Sequence, residues 1–125
     1  MAGNDDSLIM DTAIKAATEA GRYILSRLGN VKSVSEKGAF NNLVTDVDMA
    51  SERMIIDLIK ESFPGHSILA EERGEENRAD GTHKWVIDPI DGTTNYAHGF
   101  PFFCVSVGVM RGREVCFGAV YDPCR

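Results

Sequence analysis

Between residues 7 and 28, apolar side chains recur every three or four positions: Leu8, Ile9, Ala13, Ile14, Ala17, Ala20, Ile24, Leu25 and Leu28. This spacing predicts an amphipathic helix with one inward face, capped by Asp5, Asp6 or Ser7 and stopped at Gly29-Asn30. A second helix is predicted to start at Thr45 or Asp46, either of which can cap it. Its inward face would be Ala50, Met54, Ile55, Leu58, Ile59 and Phe63, with Glu52, Arg53, Lys60 and Glu61 outward. Pro64-Gly65 ends it.

The remaining apolar runs are shorter. Residues 31–37 read as a short strand, and residues 38–42 (GAFNN) as a loop. Ser67-Ile68-Leu69-Ala70 reads as a strand that runs straight into Glu71-Glu72. Residues 73–84 are charged and punctuated by glycine, which predicts an exposed loop. Trp85-Val86-Ile87 predicts a buried strand ending at Asp88-Pro89, because proline cannot donate to a ladder and holds the residue before it extended. Residues 103–110 and 114–121 flank Arg111-Gly112-Arg113 as a β-hairpin. Helix, helix, strand, strand and hairpin make an α/β arrangement in which the helices cover a sheet. Nothing after the last strand is left to cover the hairpin's second face.

With 125 residues, the chain has the size of one domain with a core of its own, and 43% hydrophobic and 26% charged residues are globular proportions. The formal charge of −6 argues against a nucleic-acid binder, and it repels an anionic substrate unless cations reverse the sign locally. Cys104, Cys116 and Cys124 form no C-x-x-C pair, so free thiols in a reducing compartment are expected. His66, His83 and His98 lack zinc-ligand spacing. No basic-then-apolar leader and no apolar run of membrane-spanning length is present, so the expected setting is cytoplasmic, with no membrane partner.

Acidic residues gather at strand ends. Once the chain turns at Pro89, Asp88, Asp91 and the Ile90 carbonyl can face one point, and these hard oxygen donors suit Mg²⁺, Mn²⁺ or Ca²⁺. Glu71 sits at the end of another strand, where open α/β sheets place ligands. Carboxylates within about 5 Å of one another repel by roughly 3 kcal/mol at an effective dielectric near 20, so such a cluster calls for a cation or for protons. Asp46 and Asp48 add acids at the entry to the second helix. Gly92-Thr93-Thr94 offers close backbone approach, amides and hydroxyls to a phosphate, with a short helix at residues 94–98. Each feature also has an ordinary explanation: a D-P-x-D-G turn, a solvated loop edge, an N-cap by Asp46 or Asp48, and a cap by Thr93. Their coincidence in one short chain favours a site.

Residues 85–101, WVIDPIDGTTNYAHGFP, resemble the signature W-x-x-D-P-[IL]-D-G-T-x-N-[FY] of the inositol monophosphatase family of metal-dependent phosphatases, together with the segment that follows it. Ala70-Glu71-Glu72 is similar to that family's G-E-E element, and Val44-Thr45-Asp46-Val47-Asp48 to its V-T-x-x-D element. The resemblance runs from the first helix to the last residue. It implies the N-terminal half of the layered αβαβα sandwich of the inositol monophosphatase and fructose-bisphosphatase-like fold, as residues 1–125 of one domain.

The resemblance further implies Mg²⁺ as cofactor, with two or three ions in a complete site, and hydrolysis of inositol monophosphate by a metal-activated water. Glu71, Asp88, the Ile90 carbonyl and Asp91 would be the metal ligands. Gly92 and Thr93 would meet the phosphate through their backbones, with Asp91 near the alcohol and Ile90 and Glu71 at the substrate. Lys37 matches a lysine in a loop over the site. Glu71 and Thr93, the latter oriented by Asp48, would activate the water. The partner is a small phosphomonoester, and the full-length parent would be a homodimer. A bisphosphate nucleotidase, fructose-bisphosphatase or histidinol-phosphatase relative is the alternative within the class, and a non-catalytic interaction protein the alternative outside it.

The chain departs from the family pattern at three places. Ala70 replaces a glycine, and Asn42 replaces an Asp before L-V-T. The family's later W-D motif, whose Asp completes the second metal site, lies beyond Arg125, so this stretch alone is expected to be weakly active or inactive.

Overall fold

Two helices form one layer. In the computed structural model, which describes residues 2–29, 34–36, 43–77 and 82–125, helix α1 spans Ala2–Ser26 and helix α2 spans Asp46–Ser62. Helix α1 begins at Ala2, upstream of the expected caps at Asp5, Asp6 or Ser7. Its buried stripe is Ile9, Ala13, Ala16, Ala17, Ala20 and Ile24. Leu8, Ile14 and Leu25, which the spacing put inward, are exposed. The small alanines explain this: α1 lies close against α2 and the strands below it, and only a narrow stripe fits. At Gly21 an added Cβ would lie 2.2 Å from the Tyr121 ring.

Helix α2 ends before Pro64-Gly65, as expected, but its buried face is rotated toward its first two turns. Val47, Asp48, Ser51, Glu52, Ile55, Ile56 and Ile59 are buried, whereas Ala50, Met54, Leu58 and Phe63 are only partly so. Glu52 is therefore inward, contrary to its outward assignment.

Strands β1 (Val34–Glu36) and β2 (Leu43–Thr45) form an antiparallel ladder, and β2 runs directly into α2. The expected loop at residues 38–42, with Lys37 and Asn42, lies outside the described residues.

The main sheet has five strands: β3 (Ser67–Ala70), β4 (Gly74–Glu76), β5 (His83–Asp91), β6 (Cys104–Arg111) and β7 (Glu114–Tyr121), in the order β4-β3-β5-β6-β7. Only β3 and β5 are parallel, so both point their C-terminal ends the same way. β4 occupies what was expected to be loop. Its residues are exposed; backbone pairing with β3 (Ile68↔Glu76 to Ala70↔Gly74) and ion pairs of Glu75 with Lys84 and Glu76 with Lys60 hold this short edge strand without burial.

Alternation sorts the sheet's two faces. Trp85, Ile87, Val105, Val107 and Val109 point under the helices and are buried. The Trp85 indole N–H donates to His66 Nδ1 at 3.0 Å. Val86, Asp88, Ser106 and Gly108 share the opposite face, where Val115 and Val120 are 71% exposed. Among the described residues, nothing covers this face of the hairpin at Val115 and Val120. The three cysteines are free. Among the described residues no helix is long and apolar enough to cross a membrane.

Candidate functional site

β5 does not stop at Pro89. It continues to Asp91, with its register against β6 broken between Asp88↔Ser106 and Asp91↔Cys104. That irregularity accommodates a proline, which has no N–H to give. Asp88 and Asp91 flank the break. Glu71 follows the last residue of β3, the parallel neighbour of β5, so the sheet's topology delivers all three acids toward one end of the sheet.

Asp88 is the focus. Its Oδ1 is buried and has no hydrogen-bond partner. Burial, then the Glu71 carboxyl and the Asp91 charge, push the Asp88 carboxyl up to about 7. A carboxylate in this setting is short of positive charge, and protonation or a cation would relieve it. Among the described residues, no three acidic, His or Cys groups are already drawn together tightly enough to hold an ion. The donor chemistry nevertheless fits a hard divalent cation: an orphaned carboxylate oxygen with two further carboxylates beside it.

The bend beyond Asp91 is built around Thr93. Gly92 takes φ +97°, and the five-residue helix α3 (Thr93–Ala97) follows with no side-chain cap. Thr93 does not cap; its hydroxyl lies 3.3 Å from Asp48 Oδ1 and 3.1 Å from the Ile90 carbonyl. A hydroxyl has one proton, so it donates to one of these acceptors at a time. Asp48 is 1% exposed, on the first turn of α2. Ile90 has its side chain in the core and its carbonyl turned toward Thr93.

Two clefts open on this corner. One, of about 470 Å³, is lined by Leu69, Glu71, Val86, Asp88 and Ser106. The other, of about 300 Å³, is lined by Asp91, Asn95, Phe102, Cys104 and Asp122. Cys104 Sγ lies 3.9 Å from Asp91 Oδ2, and burial and the nearby carboxylates push its thiol up, so it stays neutral.

Asp48, Glu71, Asp88, Ile90, Asp91, Gly92 and Thr93 therefore share one end of the sheet, and Lys37 lies outside the described residues. Sequence reasoning passed over Ser51 and Glu52. The Ser51 hydroxyl donates to the Pro89 carbonyl at 3.1 Å, and Glu52 Oε2 accepts the Glu72 amide at 2.9 Å. Only the helical spacing of Asp48, Ser51 and Glu52 on one face could have hinted at them.

Residues 5–125 match the model of the inositol monophosphatase family. The chain belongs to the inositol monophosphatase family. It is 42% identical over 116 residues to the inositol-1-monophosphatase of Synechocystis sp., covering 93% of this chain and 40% of that protein. It is 38% identical over 115 residues to the putative Nus factor SuhB of Neisseria meningitidis, covering 91% of this chain and 44% of that one. The crystal structure of extragenic suppressor protein suhB from Bartonella henselae superposes with a TM-score of 0.89 at 34% identity, over 94% of this chain and 46% of that one. The chain thus spans less than half the length of these inositol monophosphatase relatives, and over that span it has their fold, as the signature at residues 85–101 implied.

Proposed function

We propose that the chain carries the metal- and phosphate-binding corner of a Mg²⁺-dependent phosphomonoesterase acting on inositol monophosphate in the cytoplasm, within a homodimeric full-length protein. The observation that carries this reading is the buried, partnerless Oδ1 of Asp88 between Glu71 and Asp91. Family membership supports the phosphatase class.

In this reading Glu71, Asp88, Asp91 and the Ile90 carbonyl hold the ions. When bound, Mg²⁺ supplies Lewis acidity and a water of lowered pKa. The chain's own residues do the positioning. A Thr93 hydroxyl that donates to Asp48 turns its lone pairs outward, where they accept from the attacking water, and Glu71 takes up that water's proton. The Gly92 and Thr93 amides receive phosphate oxygens, and Asp91 accepts from the alcohol. With a net charge of −6, the protein repels a phosphate unless its cations are in place.

A thermal melt with and without millimolar Mg²⁺ tests the site, because a ligand that binds only the folded state raises Tm. The upward shift should be present in the unsubstituted chain and absent in Asp88→Asn. No shift in the unsubstituted chain sinks the reading. Phosphate release from inositol 1-phosphate, against a nucleotide bisphosphate and fructose 1,6-bisphosphate, then tests the substrate. The second reading is a non-catalytic interaction protein, in which metal leaves Tm unchanged; a relative named as a putative Nus factor lends it support.

A further inference from the structure

The first two turns of α2 present three polar side chains to the protein interior: Asp48, Ser51 and Glu52, at 1%, 0% and 0% exposure. Their spacing puts them on one face. Burying such groups is costly unless each is bonded, and here each bond reaches a different segment of the corner. Asp48 meets Thr93 after the bend. Ser51 donates to the Pro89 carbonyl, between Asp88 and Ile90. Glu52 accepts the amide of Glu72, immediately after Glu71, and its other oxygen lies 3.3 Å from Arg73 Nε.

The ladders of β3 and β5 end or break at these segments, and the bonds from α2 tie them to one helix. We propose that Ser51 and Glu52 are positioning residues for the metal corner, holding the Asp88–Asp91 bend and the Glu71 turn at a fixed separation through the rigid body of α2. The inference rests on the proposed metal site. Neither residue is among the proposed ligands. Groups that orient the ligands of a metal typically change its affinity about 10–100-fold when removed.

The test is Mn²⁺ binding to the purified chain, read from the EPR signal of free Mn²⁺, so no turnover is required. Ser51→Ala and Glu52→Ala should each weaken binding about tenfold or more. Glu52→Gln keeps an acceptor for the Glu72 amide and should stay within about threefold of the unsubstituted chain. Ile59→Val, about two turns further along the same helix, lowers stability without touching the corner and should leave the affinity of the folded protein unchanged. If Glu52→Ala does not fold, Ser51→Ala carries the test. Folded Ser51→Ala and Glu52→Ala (or Ser51→Ala alone, if Glu52→Ala does not fold) that bind Mn²⁺ like the unsubstituted chain overturn the positioning role alone. Failure of the unsubstituted chain to bind Mn²⁺ overturns the metal site and this inference together.

Discussion

The hydroxyl of Tyr96 donates to the carbonyl of Ile24 at 2.6 Å, joining α3 to the last turns of α1 across 72 positions of sequence. Tyr96 is fully buried, its ring meets Phe103 edge-on at 4.9 Å, and burial pushes its hydroxyl up, so it stays a donor. Tyr96→Phe keeps the ring and removes one hydrogen bond. The Ile24 carbonyl keeps a second donor, the Arg27 amide, so the expected loss is about 1 kcal/mol rather than the larger cost of an orphaned group. Urea denaturation followed by circular dichroism measures it.

Gly21→Ala sets two effects against each other. Alanine gains about 1 kcal/mol of helix propensity. The new methyl, however, would start 2.2 Å from Tyr121 Cδ2, and overpacking of that kind costs about 1–3 kcal/mol. The clash should win, leaving a net loss of about 1 kcal/mol. In a Tyr121→Ala background the same change should become neutral or stabilising, a coupling that a double-mutant cycle reads directly.

Gly92→Ala and Gly74→Ala separate backbone strain from crowding. Both glycines have positive φ, +97° and +81°, which costs an L-residue about 1–2 kcal/mol. Nothing lies near a Cβ at Gly74, whereas at Gly92 it meets the Phe102 carbonyl at 3.0 Å. Gly92→Ala should therefore be the more destabilising, by about 1 kcal/mol or more, in parallel thermal melts.

The Glu52 carboxyl is raised above its ordinary value by burial, with the Glu72 amide and Arg73 only partly offsetting this. A raised acid binds its proton more tightly folded than unfolded, so its contribution to stability is complete below the ordinary glutamate range. That contribution is lost as pH rises from there through the raised folded value. Glu52→Gln cannot titrate. Its stability relative to the unsubstituted chain should climb across that window and level off above it; a difference that stays flat from pH 4 upward contradicts the assignment.

What was legible in the chain depended on whether neighbours in sequence settle it. The stop of α2 at Pro64-Gly65, β3 and the β6–β7 hairpin follow from local chemistry, and the structure places them where the pattern does. β4 was not legible, because Gly74-Glu75-Glu76 has no apolar pattern and is ordered by pairing with β3 and by ion pairs from Lys60 and Lys84, which lie in other elements. The continuation of β5 past Pro89 depends on its partner in β6 breaking register. Glu52 was assigned outward because a charge on a helix usually is, and the Glu72 amide that receives it is 20 positions away. The acids of the corner were legible as a group from their places at two strand ends. That Asp88 Oδ1 lacks a hydrogen bond was not, since it is a property of the packed interior.

Trp85, the chain's only tryptophan, is fully buried on β5, three residues before Asp88. All indole fluorescence therefore comes from one known place. Its N–H is tied to His66, and His66 in turn stacks between Phe63 and His83, each with ring centroids 4.5 Å away. Emission should be blue-shifted in the folded chain and sensitive to any displacement of β5. The protein thus comes with an optical reporter on the strand that presents its candidate corner, and a titration with a spectroscopically silent ion such as Mg²⁺ needs no added label.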